Sequence, residues 1–207
     1  MTRPIVCLTL CLSSLAFADA FPWDGVTTLT DAKGQTLVWT VARIGGEVNI
    51  TGVHPKWQVE HRAKPDGTPL ATVKKAGGAT TKVTYSADGA QVERTDAKGH
   101  VSTATIKRKG LWDGDTLDVR LAGVTWSKGT KVQLRIVDVD AADGTTYPMV
   151  AEHVGEEQCN AVPCHRVLLA LDDLRRAFAP SFEYRYATAA GAKYLRHDGD
   201  GLVFTAR

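Results

Sequence analysis

The sequence predicts a mainly β domain: an antiparallel meander forming a curved sheet or partly open barrel, with one or two short helices. Three observations carry that reading. Short segments rich in β-branched and aromatic residues recur at regular intervals, and most joins between them hold Asp-Gly or Gly-Gly. Within the segments, apolar and polar residues alternate, as in Val132-Gln-Leu-Arg-Ile136 and Phe182-Glu-Tyr-Arg-Tyr186. That period of two describes a strand with one dry and one wet face. A parallel sheet needs helical crossovers between neighbours, and the spacing leaves no room for them.

Taken in order, residues 1–20 have the three parts of a secretory signal: Arg3, the apolar stretch Ile5 to Phe17, and small residues at Ala16, Ala18 and Ala20. Cleavage is expected after Ala18 or Ala20, with the product in the periplasm or secreted. The apolar run is shorter than the roughly 20 residues of a spanning helix. Leu10 is too large for the position before the Cys11 of a lipid-anchored signal. No other segment is long and apolar enough to span a bilayer, and residues 21–207 are expected to form one β-rich domain.

Strands then follow one another. Gln35 to Ala42 and Glu47 to Val53 flank Arg43-Ile-Gly-Gly46; Trp57 to Ala63 and Pro69 to Lys75 flank Lys64-Pro-Asp-Gly67. Thr80 to Ser86 and Ala90 to Thr95 flank Ala87-Asp-Gly89, and His100 to Lys107 ends the first group. The second group is Thr130 to Val139, Thr145 to Gly155, Cys164 to Leu171, Ser181 to Thr188, Ala192 to His197 and Leu202 to Thr205. Val167-Leu-Leu-Ala-Leu171 is apolar on both faces, as in a central strand covered from both sides. The pentapeptide Thr-Asp-Ala-Lys-Gly occurs at Thr30 and at Thr95 with unlike flanks, which reads as one turn chemistry used twice.

Two stretches have helical features. Asp172 to Ala179 begins with acids, continues with basic residues and stops at Pro180, with Leu171, Leu174 and Phe178 on one face. Asp115 to Ala122 fits either a short helix with Leu117 and Leu121 inward or a strand.

Charge and composition narrow the function. The 25 basic and 23 acidic side chains give a net charge of +2 and are mixed along the chain, so no basic face for nucleic acid is expected. Lys107-Arg108-Lys109 reads as a solvated strand end. Cys7 and Cys11 leave with the signal, and Cys159 and Cys164 are expected to pair as a disulfide in an oxidising compartment. The alternative, a soft-metal site of both thiolates with His165 and His153, needs reduced cysteines.

Asp138-Val-Asp-Ala-Ala-Asp-Gly144 departs from a calcium loop, because its third aspartate and glycine come one residue late and its twelfth position is Met149; it reads as a hairpin turn. No Gly-x-Ser-x-Gly elbow, His-Glu-x-x-His helix or phosphate loop is present. His54 and His61, flanking Trp57, read as surface or strand-face residues. No cofactor and no metal are expected. The one polar set weighed for acid–base chemistry is Asp113, Asp115, His197 and Asp198, in two Asp/Gly turns. Five Trp and five Tyr serve a core, or line a ligand cavity.

The block Gly110-Leu-Trp-Asp-Gly-Asp-Thr-Leu-Asp-Val-Arg-Leu-Ala-Gly123 resembles the middle of a family of exported bacterial domains of unknown function. The likeness continues through Gly155, Glu156-Glu157, the Cys-containing loop and the aromatic strand Phe182 to Tyr186. It implies an antiparallel, partly open barrel, similar in shape to periplasmic lipoprotein carriers, whose curved sheets hold acyl chains. It carries no catalytic residues.

The resulting expectation is an exported, non-catalytic domain that binds an apolar or amphipathic ligand such as a lipid, or an envelope protein. The alternatives are a hydrolase or transferase using the Asp/His set, and an assembly protein pairing through a sheet edge.

Overall fold

The two copies of Thr-Asp-Ala-Lys-Gly build the same turn. Asp31 accepts at one carboxylate oxygen from the amides of Lys33 (2.9 Å) and Gln35 (2.7 Å), and Asp96 does so from Lys98 (2.7 Å) and His100 (2.9 Å). Gly34 and Gly99 hold φ of +79° and +85°, a left-handed backbone that glycine adopts without steric penalty. Such turns, repeated, make the chain a meander. The computed structural model describes residues 24–141, 143–159, 161–188, 194–199 and 202–206, so the signal segment lies outside the described residues.

The first eight strands are β1 (Gly25–Asp31), β2 (Thr36–Ile44), β3 (Glu47–His54), β4 (Trp57–Ala63), β5 (Pro69–Ala76), β6 (Ala79–Ser86), β7 (Gly89–Thr95) and β8 (Val101–Ile106). The short β9 (Leu111–Asp113) leads into helix α1 (Leu117–Leu121). Then come β10 (Lys131–Val137), β11 (Thr146–Cys159), β12 (Val162–Leu171), a 3-10 turn (Leu174–Ala177), β13 (Phe182–Ala187), β14 (Tyr194–Gly199) and β15 (Leu202–Ala206). One sheet runs through all of them in the order 8-7-6-5-4-3-2-1-15-14-13-12-11-10-9. Pairing is antiparallel except between β9 and β10, which α1 connects as a short crossover. Asp115 to Ala122 thus takes the helical one of its two expected forms.

The sheet curls back on itself. Register shifts at Arg62/Ala63, His153/Gly155 and Arg185/Tyr186 mark bulges or irregularities, features that raise local twist and bend a strand. The far end, β9 and β10, packs across the inner face of the first half, where Leu111, Val137 and Val139 meet Val83, Tyr85 and Val92. The larger core joins both halves: Leu29, Trp39, Val41 and Ile50 from one side, Val132, Leu134, Val167 and Tyr186 from the other. Trp39 lies across Gly52, its cross-strand partner on β3. A Cβ at that glycine would come within 2.4 Å of the ring, so the glycine makes room for the indole.

Helix α1 passes through this core with all five residues buried. A buried helix must find partners for its end groups. Trp126 Nε1 donates to the Leu121 carbonyl (2.9 Å) and the Tyr186 hydroxyl to the Asp118 carbonyl (2.9 Å). The helix expected over Asp172 to Ala179 is corrected: it shrinks to the single 3-10 turn, and Leu174 and Phe178 stand 96% and 92% exposed. β12 runs on through Leu171 and takes the first residue of the expected apolar stripe into the sheet, which leaves too little chain for a packed helix. Lys107-Arg108-Lys109 is exposed just past β8, as a solvated strand end should be.

Cys159 and Cys164 form a disulfide at the turn end of the β11–β12 hairpin, with Cα atoms 6.0 Å apart. No free thiolate is left for the soft-metal alternative. Closing so short a loop limits the entropy removed from the unfolded chain. Replacing both cysteines by alanine should lower stability by about 2 kcal/mol, read as an earlier urea midpoint with an unchanged slope.

Candidate functional site

Asp113 is the last residue of β9, and its side chain points into the sheet with no exposure at all. A carboxylate survives there only if its oxygens are bonded. Oδ2 accepts from the hydroxyls of Thr72 on β5 (2.5 Å) and Tyr85 on β6 (2.9 Å). Oδ1 accepts from the amides of Asp115 and Thr116 and from the Thr116 hydroxyl, each at 3.1 Å. The same oxygen therefore serves as the cap that α1 lacks from its own Thr116 side chain.

The network continues to His61 on β4, whose Nδ1 lies 2.8 Å from the Thr72 hydroxyl. That hydroxyl already spends its proton on Asp113, so His61 donates and Nε2 is left as an acceptor. Burial, aided by Arg120, holds the imidazole below its usual range against the pull of Asp113. The side chain expected on a surface or a strand face is on the inner strand face, 1% exposed. Arg120 of α1 lies 3.6 Å above the centroid of the Trp112 ring, and burial brings it down to about 10.

Two residues beyond Asp113, the chemistry changes from sealed to open. Lys74 of β5 donates to Asp115 (2.8 Å) and Asp140 (2.7 Å). Burial pulls the ammonium down, but the two carboxylates outweigh it and hold it above its usual value. Burial and the neighbouring Asp113 push Asp115 up to about 7, against the pull of Lys74. Asp115 Oδ2 is buried without a hydrogen-bond partner.

This cluster lines one part of a cavity of about 670 Å³ between the two halves of the sheet. Its wall is mainly apolar: Leu37, Trp39 and Trp57 from the first half, Ile136, Met149, Leu169 and Tyr184 from the second. The size falls within the roughly 300–1,000 Å³ of small-molecule sites. Trp39 Nε1, on a wall residue, is a second buried polar atom without a partner. The cavity thus pairs a large apolar surface with the charged Lys74, Asp115 and Asp140 at one part of its wall.

The polar set read from the sequence divides. Asp113 and Asp115 stand together as described. Asp198 takes its bonds from Arg185 (2.8 Å) and Arg196 (3.2 Å), opposite Glu183. Glu183 and Arg185 alternate with Tyr184 and Tyr186, which belong to the core, so Asp198 lies on the sheet's other face. His197 follows the register of β14, opposite Tyr184. Thr72, Lys74 and Tyr85 escaped the sequence reading. Alternation along β5 sets Thr72 and Lys74 on one face, but nothing local says that the face is inward.

No family model matches the sequence, and no curated protein matches it. Among solved structures, the chain is similar to a beta-barrel-like protein of the domain of unknown function DUF1849 from Brucella abortus. The TM-score is 0.56 at 9% identity, covering 91% of this chain and 96% of that one. The likeness is one of fold. It supports the resemblance to β-rich domains of unknown function with a barrel-like shape.

Two outcomes follow from the site. Asp113→Ala strands Thr72, Tyr85 and two backbone amides and removes the largest counter-charge acting on Arg120. It should cost about 3–5 kcal/mol of unfolding free energy, measured by urea denaturation. Asp115 binds its proton more tightly in the folded chain than in the unfolded one. Its stabilising contribution is present below about pH 4 and is lost as pH rises through about 7. The melting temperature of Asp115→Asn relative to the parent should therefore rise between pH 5 and pH 8.

Proposed function

We propose that this chain is an exported domain that holds one small amphipathic molecule, with its apolar body between the two sheet halves and its polar end at Asp115 and Lys74. The cavity carries the reading. A mainly apolar pocket with a few convergent polar groups is the usual form of a small-molecule site. Lys74, Asp115 and Asp140 on that wall favour a ligand with one polar end beside an apolar body. Export is supported by the disulfide, which persists in oxidising compartments, and by the signal-like residues 1–20. Among the described residues no helix is long and apolar enough to cross a membrane.

Trp39 and Trp57 line the cavity and serve as donors for energy transfer. Titration with dansylaminoundecanoic acid should give saturable dansyl emission on tryptophan excitation, at one probe per chain. Leu171→Trp, which fills the cavity from a half-buried wall position, should weaken binding by roughly tenfold or more with little change in melting temperature. Unsaturable emission, or binding indifferent to this substitution, would remove the basis for the proposal.

A further inference from the structure

β11 and β12 pair as a long hairpin whose register shifts between His153 and Gly155, with Val154 as the extra residue. On either side of the shift, His153 faces Val167 and Glu156 faces His165. Directly paired residues share a sheet face, and so do residues two apart on one strand. His153, Glu156 and His165 therefore project from the same face. In a regular strand His153 and Glu156, three residues apart, would point to opposite faces. The bulge assembles the trio, a re-aiming of side chains for which bulges are known.

The three side chains meet. His165 Nδ1 lies 3.3 Å from His153 Nε2 and 3.5 Å from Glu156 Oε1, and the three ligand atoms lie within 4.8 Å of one another. The imidazole rings stand edge to face at 73°, so both offer a nitrogen to one shared space. Around zinc, with bonds of about 2.0–2.1 Å, tetrahedral ligand atoms sit about 3.3 Å apart. The two recorded separations fall close to that edge length.

We propose that His153, Glu156 and His165 bind one zinc ion, with its fourth coordination position open to solvent. The donor set selects the ion. Two imidazoles and one carboxylate suit zinc, whereas calcium and magnesium need about six or more oxygens. Nearby Cys159 and Cys164 are spent in their disulfide and offer no thiolate. Access is open from the Glu156 side, whose side chain is 64% exposed, while that of His165 is 15% exposed. None of the three residues lines the apolar cavity, so the site stands or falls independently of the ligand reading.

The test is calorimetric titration of zinc chloride into the full chain, stripped by chelator with its disulfide intact. One ion per chain is expected. His153→Ala and His165→Ala should each weaken binding by roughly a hundredfold, at the upper end of what loss of an outer-shell partner alone brings. Glu156→Gln, at an exposed position that the fold does not need, should weaken it by roughly tenfold. Cobalt bound in place of zinc should show the intense visible bands of a four-coordinate ion. Absence of saturable zinc binding overturns the site, as does binding unchanged in Glu156→Gln and His165→Ala, or calcium binding as tightly as zinc. If a histidine variant fails to fold, the Glu156→Gln titration and the zinc-induced rise in the parent's melting temperature decide the matter.

Discussion

The architecture depends on one buried carboxylate. Asp113 joins three pieces of chain that sequence separates widely: Thr72 and Tyr85 on the first half of the sheet, and the start of α1. A fifteen-strand sheet, antiparallel but for its β9–β10 pair, has no intrinsic reason to close at this place, because backbone pairing is satisfied whether it lies open or curled. The hydrogen bonds to Asp113 fix the far end, β9, over β5 and β6. They also set the direction in which α1 enters the core. The carboxylate is fully desolvated, so each donor around it matters more than it would in water, and its burial is tolerable because every neighbour supplies a proton. The cavity between the halves is a product of that closure.

Next to this sealed network sits its open counterpart. Asp115 is one glycine away, yet it keeps an oxygen without a partner and shares Lys74 with Asp140. Similar residue types thus do different work according to how completely their bonds are met. Asp113 is satisfied within the chain and holds the fold. Asp115 is left short: it lines the cavity, yet one of its oxygens is buried without a partner, an uncommon state for a buried polar atom. The disfavoured charge on Asp115 is the electrostatic expression of that incompleteness.

Much of the fold was legible in the sequence because its determinants are local. The paired Asp31 and Asp96 turns, the alternation in β10 and β13, and the Cys159–Cys164 spacing each involve residues within a few positions of one another. β1 and β9 were not foreseen. β9 has three residues, too few to show a period, and β1 is defined as much by β15 as by its neighbour β2. The site was half legible. Asp113 and Asp115 stood out as an Asp/Gly turn, but their partners Thr72, Lys74 and Tyr85 are ordinary strand residues until the curl brings them in. The juxtaposition of His153 with Glu156 was hidden for another reason: a one-residue bulge inverts the face that simple alternation assigns.

The place of β1 in the sheet has a consequence for the order of assembly. It is flanked by β2, which follows it at once, and by β15, which is made last among the described strands. During synthesis the leading edge of the first half therefore waits, with its amides and carbonyls unpaired, until nearly the whole chain has emerged. Pairing across so large a sequence separation is slow, since the loop must close before the contact rewards it. An open strand edge of this kind invites pairing with other chains. For this protein the vulnerable moment lies in the delay before its last strand arrives.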